Sequence, residues 1–225
     1  MKHLALLTFI VSFFVYGCNQ NPIDDFPPSF EKTYTESSNQ QANRLISVSD
    51  GILICGTSIT GTTKHAFVLK ADFGGKQLWK REYDTGSEGF GIKYLDDNSI
   101  LIVGSLLTAS QEKNLWLAKL SQDGSLLWQQ NFGGTSSDTG RDVIELENGG
   151  FMLIGTTGSF GAGSADMFVV KTGADGNETW SRTFGGAELD GGSELIQTSS
   201  FEVALLGFTG SFGAGDRDIY LQTVS

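Results

Sequence analysis

With 225 residues, 39% apolar and 11% aromatic, the chain can build a sizeable core and is too hydrophobic to be a disordered segment. A formal charge of −11 repels phosphates, which argues against nucleic acid and bare anionic lipid as partners. Two histidines, one of them at position 3, exclude a histidine-rich metal centre.

Residues 1–17 read as an address. Lys2 supplies a positive start, Leu4 to Tyr16 an apolar stretch too short to span a bilayer, and Gly17 a small residue before Cys18. Val15-Tyr16-Gly17-Cys18 resembles the bacterial lipobox, with Tyr16 where a small residue is usual. That resemblance implies a signal peptide ending at Gly17 and a lipidated Cys18 as the mature N-terminus. Acyl chains would hold the protein on a membrane of the cell envelope, the outer membrane for preference, facing the periplasm or the exterior. Residues 18–29 carry all three prolines and read as an extended tether.

Residues 30–225 repeat one pattern four times. The anchors are Phe30, Trp79, Trp128 and Trp180, spaced by 49, 49 and 52 residues. An aromatic follows each anchor by four residues: Tyr34, Tyr83, Phe132 and Phe184. Next comes an apolar run ending in Gly56, Gly104, Gly155 or Gly207. An aromatic-led run then starts at Phe67, Trp116, Phe168 or Tyr220. Gly, Asp, Asn and Ser separate these runs and mark turns. Short runs rich in aromatic and β-branched residues predict strands, and no window keeps a helical period. Four strands per unit at this period predict an all-β fold, a β-propeller of four four-stranded blades. The Asp-Gly turn before Trp180 predicts a hairpin inside one blade, with the Trp strand last. The chain then starts with a last-type strand and ends without one. The Phe30–Tyr34 strand is therefore expected to close the ring against the strand at Tyr220.

The Gly-x-x-x-Trp spacing (Gly75/Trp79, Gly124/Trp128, Gly176/Trp180) resembles the pyrroloquinoline-quinone-type, WD40-like propeller repeat. The longer pattern adds Trp-x-x-x-Phe-Gly-Gly at Trp128 and Trp180, then Asp138 and Asp190, then Gly140 and Gly192. It is similar to a repeat of envelope lipoproteins and secreted surface proteins of Gram-negative bacteria. The resemblance implies the fold and no particular chemistry. Such relatives often carry six to eight blades. Four repeats imply a small ring, or a homodimer in which two copies complete a larger one.

The repeated tryptophans read as packing residues rather than a ligand platform. Cys55 sits where a repeat has Ile154, inside an apolar run, and reads as a buried small hydrophobe. Ser121 to Trp128 nearly match a sialidase Asp box and read as a hairpin turn, since the five arginines are too few for that chemistry. His65 reads as a loop residue. Asp138, Asp190 and Glu88 offer carboxylates for Ca²⁺ or acid–base work, or else hold turn amides. Phe160 and Phe212 sit in identical Ser-Phe-Gly-Ala-Gly loops and are candidate binding residues along with Asp138 and Asp190.

No catalytic constellation, cofactor or metal site emerges from these residues. The expected function is a non-catalytic binding or scaffold module for a protein or glycan of the envelope. The alternative is a glycan-active hydrolase or lyase using ring-facing carboxylates.

Overall fold

A computed structural model describes residues 31–147, 149–199 and 201–225. The expected signal peptide, the lipidated Cys18, the proline-rich tether and the Phe30 anchor lie outside the described residues. From Lys32 onward the chain is one unit of fifteen antiparallel strands, with no helix among the described residues.

The strands form four sheets, each built from consecutive strands in chain order. Sheet I holds β1 (Asn39–Val48), β2 (Gly51–Thr60), β3 (Thr63–Ala71) and β4 (Gln77–Thr85). Sheet II holds β5 (Ser87–Tyr94), β6 (Ile100–Leu107), β7 (Lys113–Leu120) and β8 (Leu126–Phe132). Sheet III holds β9 (Asp138–Glu145), β10 (Phe151–Thr157), β11 (Asp166–Thr172) and β12 (Glu178–Phe184). Sheet IV holds β13 (Asp190–Ser199), β14 (Glu202–Thr209) and β15 (Asp218–Val224). Each tryptophan anchor lies on the last strand of its sheet, as the hairpin argument required.

The unbroken apolar runs follow from burial on both faces. Along β6, Ile100 and Ile102 point into a cluster with Leu53, Cys55, Ala66 and Val68 of sheet I. The alternate residues Leu101 and Val103 point the other way, to Phe151, Leu153, Phe168 and Val170 of sheet III. All four β6 residues are fully buried. On β10, Met152 and Ile154 join Leu205 and Val203 of sheet IV in the same manner. Burying one such side chain contributes about 1.5–3 kcal/mol, so these three seams supply most of the driving force for folding.

Two of the three seams, between sheets I and II and between sheets II and III, are also locked by the Gly-x-x-x-Trp motif, read across repeats. Trp79 lies over Gly124 of the next sheet, and Trp128 over Gly176. Both glycines have left-handed backbones (φ +81° and +79°), and a Cβ added there would come within 2.8 Å and 2.5 Å of the indoles. Tyr83 adds a hydrogen bond from its hydroxyl to the Gly124 carbonyl at 3.0 Å.

The expected closing strand is not formed. Residues 31–36 adopt no strand, and β15 pairs with β14 alone, which leaves sheet IV three-stranded among the described residues. Tyr34 instead packs beside Phe67, Leu69, Ile52 and Ile54 of sheet I and donates to the Gly75 carbonyl at 3.0 Å. It thus repeats on sheet I what Tyr83 does on sheet II. The segment follows the seam contact of its own motif rather than the free edge of β15.

One face of sheet IV stays bare. Leu206 and Leu221 occupy the repeat positions of Ile154 and Val169, which are fully buried, yet they are 40% and 67% exposed. Ile196 and Ile219 are exposed as well.

The seam lock is tested by a double-mutant cycle in urea. Trp128→Ala should cost about 2–4 kcal/mol as a partly filled cavity. Gly176→Ala should cost about 2–3 kcal/mol, through left-handed strain plus the clash with the indole. In the Trp128→Ala background only the strain of about 1 kcal/mol should remain. Strict additivity would mean that the two residues do not meet.

Candidate functional site

The first strand of every sheet breaks its pairing at one shared place. Register shifts fall at Asn43 of β1, Phe90 of β5, Arg141 of β9 and Ser193 of β13, each an extra residue opposite a regular partner strand. These are β-bulges, which re-aim a side chain. Each bulge lies against the glycine that ends the second strand's apolar run. A Cβ on Gly56, Gly104, Gly155 or Gly207 would meet a first-strand carbonyl at 2.1, 1.8, 1.9 or 2.1 Å. Only glycine admits that approach, which explains why every run ends in one.

The four bulged residues line one funnel of about 710 Å³, with Phe208 and Arg217 on its rim. Its volume lies in the range of ligand pockets. Arg141 stacks over the Phe90 ring at 4.7 Å, and Arg217 over Phe208 at 4.5 Å. Gln41, Thr139, Thr156 and Ser193 add amide and hydroxyl groups, and no Asp or Glu belongs to the lining. The Asn43 amide donates to the Gly89 carbonyl at 2.7 Å, which fixes that side chain.

The residues that follow the bulges turn away and meet one another. Arg44 lies 3.8 Å from Asp142 and 3.4 Å from Glu194, so it links sheets I, III and IV. Burial pushes the Asp142 carboxyl above its ordinary range, against the pull of the Leu195 N–H and of Arg44. Arg44 and Glu194 are both substantially exposed, so their bridge contributes at most about 1 kcal/mol.

The residues singled out from sequence lie elsewhere. Asp138 and Asp190 are fully buried at the starts of β9 and β13. Asp138 accepts from the Gly134 N–H at 3.0 Å and the Ser159 hydroxyl at 2.8 Å, and Thr157 donates to its other oxygen. Asp190 accepts from the Gly186 N–H at 2.8 Å and the Ser211 hydroxyl at 2.7 Å. Burial alone would raise the Asp190 carboxyl, but the Thr209 and Ser211 hydroxyls and backbone donors bring it below the usual range. These two residues tie the loop entering each first strand to the loop leaving the second. Strand register shows that Ser87, not Glu88, is their counterpart in sheet II. Ser87 holds the Ala66 N–H at 2.8 Å, while Glu88 is clamped by Lys64 and Lys113. Burial works against the Glu88 charge, and the two ammoniums outweigh it and keep the carboxyl below its ordinary range.

Phe160 and Phe212 are about half exposed and rest on Phe168 and Tyr220, with ring centroids 5.8 Å apart in each pair. Neither lines the funnel. His65 is half buried, its Nδ1 3.0 Å from the Tyr83 carbonyl. Burial raises the Cys55 thiol to about 12, so it stays protonated. Asp123 of the Asp-box-like segment bonds to Ser121 and Ser125 inside a hairpin turn. Among the described residues no group of three or more His, Cys, Asp or Glu side chains is placed to hold a metal ion. No helix there is long and apolar enough to cross a membrane.

Sequence reasoning missed the funnel. The available signal was positional: each bulged residue follows a small one, Ala42, Gly89, Gly140 or Gly192. The bulged residue itself differs in every copy, so a search for a repeated side chain passes over it.

No protein-family model matches the chain, and no curated protein matches it. Among solved structures it is similar to a protein of unknown function from Bacteroides caccae, with a TM-score of 0.51 and 12% identity over 77% of this chain and 55% of that one. The chain thus spans about half the length of that protein, and at such identity the likeness is one of fold alone.

Proposed function

We propose that the protein is a binding module of the bacterial cell envelope, and that the funnel at the bulges is where it binds. The observation that carries this reading is the convergence of four bulged residues, one from each first strand, on a single opening. A bulge disrupts ladder bonds, and four at one place favour a use for the side chains that they project. The four sheets are read as four blades of a propeller-like ring around that opening. The partner is a glycan or protein of the envelope, and Cys18 carries the lipid anchor.

The bare face of sheet IV favours assembly with a second copy. The same face of sheets I, II and III is covered each time by the next repeat, so the chemistry that fits it is another repeat of this kind. Each copy would then cover the bare face of the other and keep its own funnel.

A second reading is supported by Asp142 and Glu194. Two carboxylates near one arginine, one of them with a raised proton affinity, suit acid–base work on a glycan. Arg44 neutralises the pair, and neither carboxylate lines the funnel, so binding is favoured over catalysis.

Three measurements test this. Ser193→Trp should fill the funnel and abolish capture of envelope partners in crosslinking from native membranes, while unchanged capture would remove the funnel from the function. Cys18→Ser should move the protein from the membrane to the soluble fraction, and retention there would refute the anchor. Leu221→Asp should turn a dimer into a monomer in analytical ultracentrifugation, and a wild type that is monomeric at all concentrations would end the assembly reading.

A further inference from the structure

We infer that the funnel takes an anionic oligosaccharide, whose carboxylate or sulfate is bound by Arg141 and Arg217; this rests on the funnel being the binding site. The lining carries the inference. Among the described residues Arg44 and five lysines make ion pairs, and the other basic side chains do not. Arg141 and Arg217 make no ion pair among the described residues, and both reach the same funnel. No carboxylate shares that lining to compete for them.

Each of the two guanidiniums lies on an aromatic face, at 4.7 Å from Phe90 and 4.5 Å from Phe208. Stacking fixes the plane of the fork and leaves its N–H edges free, the arrangement suited to a planar carboxylate. Charge-assisted bonds of this kind are the strong ones. The rest of the lining is short and polar rather than apolar. Ser193, Thr139 and Gln41 offer donors and acceptors, and the Asn43 amide, whose N–H₂ is held by Gly89, presents its oxygen. Three hydroxyls and two amides beside two guanidiniums suit a ligand that combines many hydroxyls with a carboxylate or sulfate. A nucleic acid strand would meet the field of a chain at −11 over its whole length, whereas a short oligosaccharide places its charge only in the funnel.

The test titrates the full lipidated chain in detergent with trigalacturonate, its methyl ester, a sulfated trisaccharide and inorganic phosphate. The free acid or the sulfated sugar should bind, with the ester roughly tenfold weaker or worse, because one charge-assisted contact is worth at least that factor. Arg141→Gln and Arg217→Gln should each weaken the anionic ligand about tenfold and leave the ester unchanged. Both arginines are exposed, so these variants keep the fold. The relative strength of the acid and the sulfated sugar identifies which anion the site prefers. Equal binding of acid and ester, insensitive to both variants but lost in Ser193→Trp, overturns the anionic class and leaves the funnel reading intact. Binding that survives Ser193→Trp overturns both. Arginine-dependent binding of a peptide with a free C-terminal carboxylate, in place of the sugars, or binding of phosphate as strongly as of either sugar, overturns the glycan assignment. No binding by any of the four probes overturns it as well.

Discussion

The approach of a first-strand carbonyl to the glycine ending the second strand is the constraint on which the rest depends. Gly56, Gly104, Gly155 and Gly207 each leave no room for a Cβ, because a carbonyl of β1, β5, β9 or β13 already stands there. That approach belongs to a bulge, and the bulge does two things. It twists the first strand so that successive sheets stack with their apolar runs face to face. It also throws one side chain per sheet out of the ladder. Packing and site therefore share one backbone feature, and neither can drift without the other.

The lining shows how a site's charge can oppose the charge of its protein. Several basic residues are neutralised where they stand: Glu88 is held by two lysines, Lys70 meets Asp50, and Lys80 meets Glu36 and Glu82. The two charges of such a pair cancel at a distance. Arg141 and Arg217 make no ion pair among the described residues, and aromatic faces hold them instead. The lining itself carries two positive side chains and no negative one, in a chain whose formal charge is −11.

Sheet IV is the place where repetition stops being satisfied. Its back face is buried in the seam with sheet III through Leu205, Val203 and Val224. Its front carries Leu206 and Leu221 at positions that sheets I to III bury completely. A contiguous apolar face of this kind calls for a partner surface. The N-terminal segment does not provide it, since Tyr34 is committed to sheet I by its contact with Gly75.

Sequence alone left Asp138 and Asp190 open between binding and holding turn amides, but it determined the strands, their grouping into repeats and the hairpin before each tryptophan. These are set by local periodicity, by turn chemistry and by what recurs in several copies. It suggested no role for Asn43, Phe90, Arg141 and Ser193, which share a position and nothing else. It matched Glu88 with Asp138 on spacing, where strand register selects Ser87. It also assigned the first segment to the wrong sheet, because an aromatic strand can satisfy either a seam or an edge. Those outcomes were decided by the tertiary structure. Which side chains meet in the funnel depends on the angle between sheets and on one extra residue in each first strand, and both are properties of packed seams rather than of any stretch of chain.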